Sequence, residues 1–225
     1  MIVVVPARAG SKRLPFKNIA LLAGRPLLWY TLQGAREAGC LADLVVSTDA
    51  EVIADLARAA GARVLMRPTE LADDTASTEA VLLHVLDVLA GEGRNDDWVM
   101  TLPPTSPFRT AGTISAFFEG ARELPDNIDC LMSVTETRGD YWRRMADGSF
   151  QRLFPDAPRR QQDREPLFEE NSAVYVTRAS ALRQTGSILG RAVRAFAIRP
   201  REALDINTPE DLALAEALLR EAGRT

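Results

Sequence analysis

Only two cysteines and one histidine occur among the 225 residues of this chain. Cys40 and Cys130 stand far apart, which excludes a disulfide framework and a thiolate zinc site and leaves them as packing residues. His84 lies within the apolar stretch Val81–Leu86, so a structural place is expected for it. Aromatics make up 6% of the chain, too few for the stacking platforms of a nucleic-acid binder. No apolar run approaches the ~20 residues of a membrane span. The opening Met1–Pro6 is apolar first and basic afterwards, the reverse of a secretory leader. These absences lead us to expect a cytoplasmic protein with no membrane or nucleic-acid partner.

Lysine is the most informative scarcity. Of 27 basic residues 25 are arginine, and the two lysines, Lys12 and Lys17, stand five residues apart in one segment. Acid is missing there as well: residues 1–36 carry six bases, and the first carboxylate is Glu37, although the whole chain is −4. A compact ammonium on a flexible stem suits phosphate oxygens, where a guanidinium imposes a flat fork. The segment therefore reads as an anion site on an otherwise acidic protein, against the plainer alternative of a solvated basic loop.

What is present is an ordinary globular composition, 46% hydrophobic and 26% charged, sized for a single domain over residues 1–225. Short β-branched runs alternate with helical periodicity. Strands are expected at 2–5, 44–47, 63–66, 98–102 and 130–134, with helices at 26–38, 50–60, 77–89 and 113–124. Ser77 or Thr75 is the expected cap of the third helix. The alternation predicts an α/β, Rossmann-like fold, a mostly parallel sheet flanked by helices. It breaks over 135–170, where Tyr141, Trp142, Phe150 and Phe154 alternate with polar residues and a cation-rich loop follows, an excursion of hairpin and loop. Strands return at 173–177 and 193–198. Thr208-Pro209-Glu210-Asp211 then opens a final helix with Thr208 as its cap.

The first strand runs into Pro6-Ala7-Arg8-Ala9-Gly10-Ser11-Lys12-Arg13-Leu14-Pro15-Phe16-Lys17-Asn18. In an open α/β sheet this position holds ligand phosphates. Neither the Walker A spacing nor the Gly-x-Gly-x-x-Gly turn is present, which disfavours a P-loop NTPase or a nicotinamide enzyme.

This stretch resembles the signature of the acylneuraminate (sialic acid type) cytidylyltransferases, a family that includes the pseudaminate- and legionaminate-activating enzymes. The resemblance continues, in family order, through Ser47-Thr48-Asp49, Arg67-Pro68-Thr69-Glu70-Leu71 with Asp74–Thr78, and Pro104-Thr105-Ser106-Pro107-Phe108-Arg109. It goes on through Arg159-Arg160-Gln161 and Glu170–Tyr175 to Asp205-Ile206-Asn207. It implies the nucleotide-diphospho-sugar transferase form of the fold, with the excursion at a homodimer contact. It also implies transfer of CMP from CTP to the anomeric hydroxyl of an acidic 2-keto sugar, with Mg²⁺ as cofactor. By the same resemblance Ala7, Arg8, Gly10, Ser11 and Lys12 would hold the nucleotide with Asn18, Arg67 and Thr78. Thr105, Ser106, Gln161 and Asn171 would meet the sugar. Lys17, Arg160 and Asp205 would be the catalytic groups, Arg160 also binding the sugar carboxylate, and Asp205 with Asn207 would take the metal. Asp49 reads equally as a helix cap or as a support behind the site.

Three positions depart from the family pattern: Pro103 replaces a glutamine, Asn207 an aspartate and Ser172 a glycine. Pro103 keeps open another acid substrate for the same chemistry, 3-deoxy-octulosonate or a phosphonate. Asn207 keeps open a relative that binds nucleotide without catalysis, and the basic loop taken alone keeps open a polyanion-binding module.

Overall fold

Ile2–Pro6 (β1) is β-branched on both faces and becomes the buried centre of the sheet in the computed structural model of the protein, which describes residues 1–73, 75–221 and 223. Its neighbours are Leu44–Thr48 (β4) and Trp98–Thr101 (β6), both parallel to it. Leu21–Leu22 (β2) and Arg25–Pro26 (β3) form a separate small hairpin. Arg63–Met66 (β5) closes one edge beside β4. Beyond β6 lie Leu167–Arg178 (β10), Cys130–Thr137 (β7) and Val193–Ala197 (β11). The order is β11-β7-β10-β6-β1-β4-β5, and only β10 runs antiparallel to the rest. The expected mostly parallel sheet is therefore present.

Alternate residues of β1 divide the core. Val3 and Val5 face a cluster with Leu28 and Leu32 of Leu27–Glu37 (α1), Ile53 of Glu51–Ala59 (α2) and Phe117 of Ala111–Arg122 (α4). Ile2 and Val4 face Leu82 and Val85 of Thr78–Gly91 (α3) and Leu182 of Ala179–Thr185 (α5). Period-2 alternation on a strand covered on both sides leaves no polar face, which is why β1 reads as a continuous apolar run. A third small cluster joins Leu22 and Leu27 to Ile206 and to Ala215 and Leu219 of Pro209–Glu221 (α6).

The caps mostly follow expectation. Ser77, not Thr75, receives the N–H of Ala80 at 3.1 Å. Thr208 accepts from Asp211 N–H at 3.3 Å while the Asp211 carboxylate takes the N–H of Thr208 at 2.8 Å, a reciprocal box at the start of α6. The fourth predicted helix starts two residues earlier than its pattern suggested, because Thr110 caps it through Thr113 N–H at 3.1 Å.

The predicted break at 135 comes later. Leu167, Phe168 and Glu169 pair with Thr137, Glu136 and Thr135, so β7 and β10 run on together and only residues 138–166 leave the sheet. Within that arm Trp142–Arg144 (β8) and Phe150–Arg152 (β9) form the expected hairpin, closed through Gly148 at φ 84°. Asp140 gathers cations from β9 and the loop after it, with Arg152 at 2.7 Å and Arg164 at 3.2 Å. No helix among the described residues is long and apolar enough to cross a membrane.

Candidate functional site

The carboxyl ends of β1, β5 and β6 open on a cleft of about 270 Å³. Its walls come from segments far apart in sequence: the loop after β1, Arg67 after β5, the start of α3, and Pro103 to Thr105 after β6. Convergence at strand ends follows from the topology, since each parallel strand delivers its following loop to the same side of the sheet.

The basic loop is tied down from both sides. Ala9 N–H donates to the Asp49 carboxylate at 2.9 Å, and the Asn18 amide donates to the Arg8 carbonyl at 2.8 Å. Asp49 thus supports the loop, while the N-cap position of α2 belongs to Ala50. Phe16 adopts φ 53°, a left-handed turn that opens the short 3₁₀ segment Lys17–Ile19. A Cβ on Gly10 would meet nothing within 4 Å. Packing within the chain therefore does not require glycine there, and the open space lies beside the cleft that Gly10 lines.

Positive charge is concentrated here at an energetic cost. Arg67 is buried, with its guanidinium on the carbonyls of Ser47 at 2.6 Å and Leu71 at 3.2 Å. No carboxylate among the described residues lies within ion-pair distance of it. Burial lowers its pKa to about 10, opposed by Asp49 and assisted by Arg8. Arg109 is buried even more deeply, bonded to the Ala173 carbonyl at 2.6 Å and Thr31 Oγ1 at 2.7 Å, and burial brings it to about 9. Lys17 is also lowered by burial, with Arg13 and Arg8 adding to the effect and Asp205 opposing it. Among the described residues Arg67 has no carboxylate in ion-pair contact, and a buried cation so placed on the cleft suits an anion. The N-terminus of α3, with Ser77 and Thr78 on the cleft, contributes a helix dipole of the same sign.

On the other side of Lys17 stands the acid. Lys17 Nζ donates to Asn207 Oδ1 at 2.9 Å, and Asn207 Nδ2 donates to Asp205 Oδ2. Asp205 Oδ1 is buried with no hydrogen-bond partner. The segment is anchored by Ile206, whose N–H reaches the Thr105 carbonyl at 2.8 Å and whose side chain sits in the third apolar cluster. Asp205 also lines a second cavity of about 340 Å³, together with Asn171, Ser172 and Glu170.

Arg8, Gly10, Ser11, Lys17, Asn18, Arg67, Thr78 and Thr105 of the expected site line the first cleft together, as does Pro103. Ala7 is buried behind it, and Lys12 lies exposed on the loop outside its lining. Ser106 is buried, with its hydroxyl unpartnered. Asp74 lies outside the described residues. The Asn171 amide is engaged within the chain, accepting from Ser133 Oγ at 2.6 Å and donating to Thr135 Oγ1 at 2.8 Å. It supports the bulge of β10 in which Ser172 takes φ 57°. Arg160 and Gln161 are exposed on the arm and line neither cavity; Gln161 lines a third, with Thr137 and Arg138. Arg109 lines none of these cavities and is bonded within the fold. It stood within a recognised block, but its burial arises only when α1 and β10 close over it.

His84 lines none of the cavities described here, and its Nδ1 is buried without a partner. Both cysteines are buried, each thiol pushed up to about 11 by burial. No group of three or more His, Cys, Asp or Glu side chains among the described residues could by itself hold a metal ion.

Residues 2–223 match the cytidylyltransferase family. The CMP-N,N'-diacetyllegionaminic acid synthase of Legionella pneumophila is 34% identical over 230 residues, covering 97% of this chain and 96% of its own. The N-acylneuraminate cytidylyltransferase of Escherichia coli O18:K1:H7 is 30% identical over 228 residues, and this chain spans about half of it, 53%. A solved CMP:2-keto-3-deoxy-manno-octonic acid synthetase complexed with CTP superposes with a TM-score of 0.68 at 18% identity, over 98% of both chains, a likeness of fold. Sequence, topology and the cationic cleft at the strand ends agree, and this chain belongs to the cytidylyltransferase family.

Proposed function

We propose that this cytidylyltransferase moves CMP from CTP to the anomeric hydroxyl of an acidic 2-keto sugar of the nonulosonate class and releases pyrophosphate. The observation that carries the reading is the continuous run from the phosphate-facing loop through Lys17 and Asn207 to Asp205, joining an anion cleft to a second cavity. The triphosphate lies along Arg8, the Gly10–Ser11 backbone and the amino end of α3, with Asn18 and Arg67 toward the nucleoside. The hydroxyl oxygen forms a bond to the α-phosphorus, the bond from that phosphorus to the bridging oxygen breaks, and the hydroxyl proton leaves to solvent. Alignment and charge stabilisation supply most of the rate in such a transfer. Lys17 stabilises the leaving pyrophosphate.

Mg²⁺ is the expected cofactor. The unpartnered, buried Oδ1 of Asp205 is a hard oxygen ligand suited to it, with Asn207 adjacent. When bound, the ion supplies electrostatic stabilisation of phosphate oxygens.

Arg160 fits the sugar carboxylate by charge, yet it lies on the arm outside the cleft. A homodimer in which the arm meets a second copy accounts for this, and for the exposed Trp142, Phe150 and Phe168. A cytoplasmic location is part of this reading, with CTP as the donor. Pro103 in the cleft wall keeps 3-deoxy-octulosonate or a phosphonate as the second reading of the acceptor.

The test is incubation with CTP, Mg²⁺ and a panel of eight- and nine-carbon keto acid sugars, together with a phosphonate. Pyrophosphate release with a nine-carbon acid is expected. Release with octulosonate or the phosphonate alone selects the second reading, and silence across the panel overturns both.

A further inference from the structure

Asn207 sits between an ammonium and a carboxylate, and this dictates its orientation. Lysine only donates and an ionised carboxylate only accepts, so the amide must turn its oxygen to Lys17 and its nitrogen to Asp205. With that orientation both ends of the amide are occupied. Asp205 Oδ2 is taken by the amide, and only the buried Oδ1 of Asp205 remains available to a cation. Lys17 faces two ways. It lines the anion cleft while its Nζ is held by Asn207.

We propose that Lys17 is a gate: while the cleft is empty it locks the Asn207 amide with its oxygen away from Asp205, and nucleotide phosphates release that lock. This rests on the CTP reading of the cleft and extends it. Phosphate oxygens entering beside Lys17 compete for its ammonium as stronger acceptors than a neutral amide oxygen. Once Nζ turns to them, the amide is held only through Nδ2 on Asp205, a bond that a cation arriving at that carboxylate displaces. A half-turn of the amide about its last torsion then brings Asn207 Oδ1 beside the Asp205 carboxylate. One amide rotation converts a cluster that offers a divalent cation a single free oxygen into one that offers oxygens from both side chains. Nucleotide and cation then bind with positive coupling, and the neutral amide is essential, because only a group with both a donor and an acceptor end can invert.

The test uses protein labelled with ¹⁵N at asparagine, which occurs at only five positions. Asn18 in the cleft wall serves as an internal reporter of nucleotide binding. Spectra are taken in EDTA with and without α,β-methylene-CTP, and Asn207→Ser assigns the amide pair. We expect nucleotide to move both the Asn18 and the Asn207 side-chain signals, and Lys17→Met to move Asn207 in the same direction without nucleotide. An Asn18 shift with Asn207 unmoved overturns the gate and leaves the CTP reading standing. If neither signal moves, the CTP reading and the gate fall together. Mn²⁺ titration of nucleotide-free protein, followed by the EPR signal of the free ion, gives a second readout. Lys17→Met should bind Mn²⁺ about tenfold more tightly than the unaltered chain, a typical size for coupling between sites. Adding Asn207→Ala should abolish the gain. A gain that survives that second change comes from removal of a positive charge alone and overturns the gate.

Discussion

The centre of the sheet and its β11 edge treat apolar residues in opposite ways. Around β1 the residues Ile2 to Val5 have no exposure at all, and the helices on both faces close over them. At the far end every residue of β11 is exposed, and the arm displays Tyr141, Trp142, Phe150 and Phe154 to solvent. Burial of apolar area is the main favourable term in folding, so the first region contributes most of the stability and holds the site frame. The second region holds its own shape through polar contacts, chiefly Asp140 with its arginines. Exposed aromatics of that kind are what the proposed homodimer contact would cover. On the proposed reading the catalytic frame and the homodimer contact occupy separate parts of one chain, and Arg160 stands on the exposed arm.

Truncating one aromatic in each region probes this contrast most strongly. Phe117→Ala, at a fully buried position, should lower the unfolding free energy by about 3–5 kcal/mol. Phe150→Ala, in the arm at 64% exposure, should change a dilute monomer by no more than about 0.5 kcal/mol while weakening self-association. Denaturant unfolding and sedimentation measure the two effects, and equal stability losses would erase the distinction.

A smaller effect concerns the ammonium at the cleft. Burial lowers the Lys17 pKa from 10.5, so the protonated form is lost as pH rises through a value below that of an ordinary lysine. The alkaline limb of kcat/KM, which reports free-enzyme groups, should therefore begin below pH 10.5, and Lys17→Arg should carry it upward. A limb that stays in place in Lys17→Arg assigns it to another group. The smallest effect belongs to the helix cap beside the cleft: Ser77→Ala should cost about 1 kcal/mol in thermal unfolding, with no change in self-association.

Much of the frame was legible before any coordinates. β1, β4 and β6 are apolar runs with turn residues after them, and α1, α3 and α6 announce themselves by proline, serine and threonine at their starts. The shortfalls have physical causes. The hairpin of β2 and β3 has only two residues per strand, too few for periodicity to register, and turns through Ala23 at φ 46°, which no residue preference predicts. The extension of β7 to Thr137 depends on a partner strand thirty residues away. Lys17 and Asp205 were each nameable, but the amide that joins them depends on how α6 docks on the β2–β3 hairpin.

The amino-acid order alone determined the alternation of elements, the placement of both lysines after the first strand and the absence of acid around them. These are local properties, set by propensity, periodicity and composition within a few turns of chain. Only the tertiary structure decided that Arg67 and Arg109 would be buried, bonded to carbonyls, that Asn171 would spend its amide on the bulge of β10, and that Arg160 would stand outside the cleft. Burial and hydrogen-bond partnership depend on which distant segments pack together, and that information has no local signature.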